Sequence, residues 1–302
     1  MDTNSETRAL RGGIDLGGTK IQALVVDGAQ QVLGRARRAT PTSGGARDVA
    51  RALAETLREA CVEAQVGVDA LAGVGVGTPG AVDAQQGTVL GAGNLPGFDG
   101  TVALASMLER EIGLHVQLGN DVGVALDAEA RLGAGAGFAS FVGVWWGTGV
   151  GGGVVLDGKR WLGRGAAGEI GHTVVVRNGA RCPCGRRGCL EAYAGRRAME
   201  VRARKLVARG EHTRLFAWME KKGVDRLTSG VWAKALAKRD PLATQLVDRA
   251  VDALATALAS SVNLLDVEAV VIGGGLGTRL GQAWADEIAL RMDRGRKALM
   301  QQ

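Results

Sequence analysis

Three thiols confined to eight residues constrain this chain more than any other feature. Cys182, Cys184 and Cys189 share a loop with Pro183, Gly185 and Gly188, and His172 stands ten residues ahead of the first of them. A C-x-C-x4-C run with a preceding histidine is the pattern of a closed tetrahedral zinc site. Thiolates are soft ligands and zinc brings no geometric preference of its own, so a tight glycine-containing loop can wrap the ion. The plainer alternative is three unrelated buried thiols, and their crowding argues against it. With His172, Cys182, Cys184 and Cys189 all on the metal, no coordination position stays open, so the ion is expected to be structural. Glu169 and Glu191 flank the segment. The expected work of the metal is to hold these carboxylates and His172 in fixed relation to a ligand.

A second signal lies near the N-terminus. Leu10–Asp27 reads LRGGIDLGGTKIQALVVD, an apolar run, a Gly-Gly-Thr turn and a second apolar run. Small residues in such a hairpin (Gly17, Gly18, Thr19) let backbone N–H groups approach a phosphate chain. No helix and no G-K-[ST] ending follow, so it is not a Walker loop. Asp15, closing the first strand, can hold Mg2+ through water. Lys20 is either a phosphate contact or a solvated edge charge. The pattern recurs in Phe141–Lys159, FVGVWWGTGVGGGVVLDGK, with Gly147, Thr148 and Gly149 at the turn. Both copies run strand, glycine turn, strand, Asp-Gly, which suggests a duplicated unit with one phosphate hairpin per half. Gly273, Gly274 and Gly275 follow a third apolar run, as where a strand ends beside a nucleotide. Forty-eight glycines make chance clustering a real alternative. The order of the three clusters against the expected strands favours nucleotide.

IDLGGTK, GVGVGTPGAVD (73–83), NLPGFDG (94–100), GNDVGVAL (119–126), GTGVGGGVVLDG, GEIGH and CPCGRRGCLE occur in that order. Together they resemble the ROK family of sugar kinases and sugar-responsive repressors, over about residues 10–280. The resemblance implies a two-domain actin-like ATPase (ribonuclease H-like) α/β fold, with sugar and ATP meeting in an interdomain cleft. It assigns Asp121 as the general base that accepts a sugar hydroxyl proton. It assigns sugar binding to Asn94, Asn120, Glu169, His172 and Glu191, with Pro79 and Gly80 lining the cleft by backbone. ATP with Mg2+ is the expected donor, with polyphosphate as an alternative, and the protein is expected to be a homodimer. Glucose is the default hexose. The family's repressors carry a helix-turn-helix ahead of the first glycine hairpin; with fourteen residues before Asp15, the competing reading of a sugar sensor or regulator is disfavoured.

The residues by themselves also read as mixed α/β. Strands are expected near 11–16, 20–27, 31–38, 71–76, 115–118, 139–146, 150–156, 172–177 and 267–272. Helices are expected over 49–64, 101–111 and 241–265. A small N-terminal domain is placed at 1–119 and a larger one at 120–302, with the zinc loop at 172–189. From position alone, Asn120-Asp121 reads as a helix cap as readily as a catalytic pair. At Glu191, pairing with its own helix N-terminus competes with sugar binding.

Partner classes follow from charge and apolar runs. The net charge of +6 raises nucleic acid as a partner. Yet the basic segment 196–209 alternates with Met199, Val201, Leu206 and Val207 as a solvated helix would, and aromatic residues for stacking are scarce. Nucleic acid is therefore not expected; a long polyanionic phosphoryl donor is the alternative partner for the segment. There is neither an apolar leader nor a membrane-length apolar run, and the thiols suit a reducing compartment, so a cytoplasmic location is expected. The chain ends at Gln302, without the final strand and closing helix of the family pattern, which puts the purine pocket in question.

Overall fold

The computed structural model describes residues 9–93 and 95–300. Asn94 lies outside them. Two compact units divide within one helix, the first ending at Ala125 and the second beginning at Leu126.

In the first unit, β1 (Leu10–Leu16), β2 (Lys20–Val26) and β3 (Val32–Ala39) form an antiparallel meander. β1 then pairs in parallel with β4 (Leu71–Thr78). Three short strands, β5 (Ala81–Asp83), β6 (Thr88–Leu90) and β7 (Thr101–Val102), make a separate small sheet. β8 (Val116–Asn120) returns beside β4, so the main sheet runs β3-β2-β1-β4-β8. α1 (Ala46–Glu63) buries Val49, Leu53, Leu57 and Ala60, spaced three to four apart as a helix stripe requires. It lies so close to β3 that a Cβ on Gly34 would stand 2.2 Å from the Ala60 carbonyl oxygen. α2 (Leu104–Ile112) ends at Gly113, whose φ of 74° closes the helix in the left-handed region.

α3 (Asp121–Leu132) carries the division between the units. The second unit repeats the order and directions of the first one's strands β3-β2-β1-β4. β9 (Phe141–Trp146), β10 (Val150–Leu156) and β11 (Lys159–Trp161) form a meander. β12 (Ala269–Gly273) runs parallel to β9, giving the order β11-β10-β9-β12. The duplication expected from the two glycine hairpins is thus present in strand order and direction. Helices α4 (Glu191–Ala194), α5 (Arg196–Val207), α6 (Leu215–Lys221), α7 (Ser229–Ala237) and α8 (Pro241–Leu265) follow the metal loop. α8 starts with proline at its first turn, and Asp240 accepts the Ala243 N–H at 3.0 Å as its cap. Its Leu246, Val247, Ala250, Val251, Leu254 and Leu258 enter the core with Trp146 and Trp232. α9 (Gly274–Leu280) and α10 (Gln282–Met300) complete the chain, α10 packing on α8. Among the described residues no strand follows β12.

The expected strand at 172–177 is absent. Ile170–His172 is a 3-10 turn, and the following valines make only a bridge, Val174 to Cys189. Val175 and Val176 both donate to the Gly188 carbonyl, so the backbone of this β-branched run is spent on the loop and not on a sheet.

Candidate active site and metal centre

β1, β4 and β8 run parallel, and their carboxyl ends bring together Asp15, Thr78 and Asn120-Asp121. Asp15 stands opposite Gly77, Gly77 opposite Gly119 and Thr78 opposite Asn120. The carboxyl ends of parallel strands are where α/β sheets commonly hold ligands. Gly77 is needed here: a Cβ would sit 2.9 Å from Val124 and 3.7 Å from the Cα of Asp121. Asp15 is exposed to solvent, yet the chain packed around it raises its pKa above the usual carboxylate value; Lys20 opposes this, and the negative Asp121 adds to it. The two carboxylates therefore feel each other across one site.

Asn120 does the capping that its position suggested. Its Oδ1 accepts the N–H groups of Val122 and Gly123, both at 3.1 Å, and its Nδ2 donates to the Gly80 carbonyl at 3.1 Å. Asp121 Oδ1 accepts the Val122 N–H at 2.8 Å, which leaves the second carboxylate oxygen for other work. Gly80 adopts φ 94°, and a Cβ there would stand 2.8 Å from the Leu90 carbonyl, so the Thr78-Pro79-Gly80 turn depends on this glycine. The first hairpin turn is tight: Gly17 N–H donates to Lys20 O at 2.9 Å, and Thr40 Oγ1 donates to Gly17 O at 2.6 Å. Gly18 and Thr19 lie at its tip, while the Lys20 ammonium donates to Gln22.

In the second unit, the other two glycine clusters come together. Gly273 pairs beside Trp145 at the end of β12. Gly274, at φ 81°, presses on the Trp146 backbone, where a Cβ would be 2.7 Å from its nitrogen. A Cβ on Gly147 would lie 3.9 Å from the Gly275 nitrogen, so the turn 147–149 and the turn 273–275 are neighbours. The carbonyls of Gly147 and Thr148 are taken by the first N–H groups of α5, those of Arg196 and Arg197, at 3.1 Å each. Arg196 was read from the sequence only as part of a basic helix. Its Nη2 donates to Thr148 Oγ1 at 2.7 Å and its Nη1 to Leu227 O at 3.2 Å, while its Nε is buried without a partner among the described residues. Burial lowers its pKa, and nearby Arg226 adds to that. With one lone pair engaged by Arg196, the Thr148 hydroxyl keeps its proton and a second lone pair for another partner. No local pattern in the sequence marks this contact, which spans 48 residues.

The glycines of GEIGH and of β10 serve close packing. A Cβ on Gly168 would stand 2.4 Å from the Gly153 Cα, and one on Gly171 would stand 1.9 Å from the Val150 carbonyl oxygen. This lays the turn directly over β10 and places Glu169, which is exposed, and His172. His172 N–H donates to Glu169 O at 3.0 Å. Glu191 does not serve its own helix: its Oε2 accepts the Val150 N–H at 3.0 Å, across from the Gly149 turn. The metal loop, the hairpin and Glu191 are thus one connected piece.

His172, Cys182, Cys184 and Cys189 converge with all ligand atoms within 4.8 Å of one another. Cys184 and Cys189 sulfurs are 3.7 Å apart, and His172 Nδ1 is 3.7 Å from the Cys182 sulfur. Zinc–sulfur bonds of about 2.3 Å in a tetrahedron require sulfur–sulfur edges of about 3.8 Å. The donor set and its spacing are compatible with zinc. The Arg186 backbone N–H lowers the exposed Cys184 thiol to about 6, whereas burial pushes Cys182 up to about 12. The first thiolate of the cluster is therefore available near neutral pH at Cys184.

The chain matches the ROK family over residues 11–283. It is 36% identical to the glucokinase of Thermotoga maritima over 274 residues, spanning 89% of this chain and 83% of that one. It is 33% identical to an N-acetylmannosamine kinase of Haemophilus influenzae over 269 residues, spanning 89% and 81%. Among solved structures, a ROK family glucokinase from Streptomyces griseus in complex with glucose and AMPPNP superposes with a TM-score of 0.78 at 31% identity, over 94% of this chain and 89% of that one. With the strand order repeated in both units, the actin-like ATPase fold is in place, and the chain belongs to the ROK family, among its sugar kinases.

Proposed function

We propose that this chain phosphorylates a hexose, with glucose and its 6-hydroxyl as the reading of choice, from ATP and Mg2+. The observation that carries the reading is the pair of carboxylates, Asp15 and Asp121, brought to the carboxyl ends of the neighbouring parallel strands β1, β4 and β8. Phosphoryl transfer asks for a base at the acceptor hydroxyl, charge neutralisation and positioning. Asp121 takes the hydroxyl proton on its free oxygen while the phosphoryl group moves to the sugar oxygen and ADP leaves. Asp15 would hold Mg2+ through water, and the ion would neutralise phosphate charge. In the second unit, Gly147-Thr148-Gly149 and Gly273-Gly274-Gly275 receive the nucleotide by backbone, and Thr148 by its hydroxyl. In the first, Gly18 and Thr19 at the hairpin tip present N–H groups to phosphate, while the Gly17 N–H closes the turn on Lys20 O.

Glu169, His172 and Glu191 hydrogen-bond sugar hydroxyls, as does the remaining Nδ2 proton of Asn120. His172 turns Nδ1 to the thiols, which leaves Nε2 for a hydroxyl. Zinc on His172, Cys182, Cys184 and Cys189 supplies rigidity and no chemistry of transfer. Each polar sugar contact matters because an unpaired buried donor or acceptor costs about 1–3 kcal/mol. ADP release measured by a coupled assay with Mg-ATP over glucose, mannose, fructose and N-acetylhexosamines tests the reading. Turnover with glucose foremost is expected; a silent panel, with sugar binding still seen by calorimetry, would replace the kinase with a sugar sensor.

Asp15 gives a pH-dependent check. Its folded pKa is raised, so the ionised form costs folding stability that is absent below the unfolded value and grows as pH rises through the folded one. Asp15→Asn is therefore expected to melt slightly higher than the parent at pH 7 without metal, and equally at pH 3. The same variant should lose roughly 10²-fold or more in Mg-ATP turnover. A lower melting point at pH 7 would contradict the electrostatic account.

A further inference from the structure

The basic helix, read from the sequence as a solvated face, lines a cavity. α5 turns Arg197, Val201 and Lys205, and with them Ala198 and Arg202, onto a concavity of about 960 Å³ in the second unit. Arg181 and Arg187 of the metal loop and Arg249 of α8 stand on its other walls. None of these six cations is in an ion pair among the described residues, whereas Arg204, next to Lys205, is paired with Glu200 at 2.6 Å. Glu191 is the one carboxylate in the lining, and it is engaged with the Val150 N–H.

The cavity also has a polar floor. Tyr193 is 6% exposed, and its hydroxyl accepts the Ala180 N–H at 2.8 Å. No acceptor for the phenolic proton stands among the described residues, so that proton is free to donate into the space Tyr193 lines. The Arg249 guanidinium lies over the Tyr193 ring, 4.7 Å from its centroid, which holds it in the wall without neutralising it. Val176 and Leu246 add an apolar patch.

Like charges gathered in a concavity repel one another and focus a positive potential on its interior. A compact, multiply charged anion relieves that repulsion and gains several charge-assisted hydrogen bonds at once, which guanidinium groups give to phosphate oxygens in forked pairs. Nucleic acid fits poorly, because the aromatic side chain of the lining, Tyr193, is buried under Arg249 and offers no face for base stacking.

We propose that this cavity is a binding site for a polyvalent phosphate anion of the size of a short polyphosphate chain or a phosphorylated sugar. The occupant reaches as far as Thr148, where the cavity meets the nucleotide turn. The cavity shares Thr148, Gly149 and Glu191 with the site of the proposed function and in that respect rests on that reading, while its six cations come from other residues.

The test is calorimetry on the full chain at constant ionic strength near 0.15 M, with Mg-AMPPNP present throughout. Tripolyphosphate, glucose 6-phosphate and a single-stranded RNA oligomer are titrated in turn. One saturable site for tripolyphosphate or glucose 6-phosphate is expected, weakened roughly tenfold or more in the double variant Arg202→Gln/Lys205→Gln. Glucose affinity and melting temperature should not change in that variant. The stronger of the two anions identifies the source, a polyphosphate chain or a phosphate ester. Equal affinity in the double variant, binding only when AMPPNP is left out, no binding of either anion, or tighter binding of the RNA would each overturn the proposal. A separate titration of Mg-AMPPNP itself reports on the kinase reading, so the two can fail independently.

Discussion

Replacing Asp121 with Asn is expected to lower kcat by about 10²–10⁴-fold, the usual contribution of a positioned general base, while sugar binding stays within a few-fold. The substitution is clean because of how Asp121 is held. Its Oδ1 accepts the Val122 N–H at 2.8 Å, and an amide oxygen can accept the same bond. Asn120 caps the helix from the preceding position, so α3 keeps its start in the variant. What is lost is the basicity of the outward oxygen. The loss should therefore appear in kcat and equally in kcat/KM, with an unchanged melting curve. Steady-state kinetics with glucose and Mg-ATP, beside calorimetry of sugar binding, separate the two quantities. Turnover within about tenfold of the parent would remove Asp121 as the base. A lost sugar affinity would make it a binding residue.

Loss of the metal is expected to have the second large effect, and on a different part of the molecule. Cys184→Ser removes the ligand with the lowest thiol pKa, about 6, and the exposed one of the three, so it breaks the centre without opening a core cavity. Zinc binding contributes directly to the folding of small metal loops, on the order of several kcal/mol. The segment 172–191 joins no sheet and is otherwise held by hydrogen bonds within the loop, two isolated bridges, a Tyr193 hydroxyl contact and the Glu191 bond to Val150. Metal analysis of the pure parent protein should return one zinc per chain, and of the variant close to none. The melting temperature should fall by several degrees. Amide exchange should rise over 172–191 and stay as it was in the first unit. Because Glu191 follows Cys189 by two residues and reaches Val150, KM for the sugar should rise together with these changes. A pure parent protein without zinc and with full activity would end the structural-metal account.

The candidate site was legible where its parts lie close along the chain. The metal ligands fall within eighteen residues, 172–189, so spacing alone grouped them, and the structure brings all four ligand atoms within 4.8 Å. Each glycine hairpin is likewise local: two apolar runs about a small-residue turn have one simple solution, and both formed. The reading failed where local and tertiary preferences diverge. Thr173-Val174-Val175-Val176 has the composition of a strand, but the Val175 and Val176 N–H groups meet the Gly188 carbonyl and the run never joins a sheet. β5, β6 and β7 are three, three and two residues long, too short for a period-2 pattern to emerge.

The sequence by itself determined the family, the duplicated hairpin plan and the residues of the metal centre, because these rest on spacing within single turns and loops. Only the tertiary structure decided that Asn120 clamps Gly80 and that Arg196 steers the Thr148 hydroxyl. It alone set Arg197, Arg202 and Lys205 around a cavity with cations from two distant segments. The physical reason is the same in each case. A side chain's neighbours across tens of residues follow from how helices such as α8 pack on the sheet, and that packing is the sum of many weak apolar contacts with no local signature.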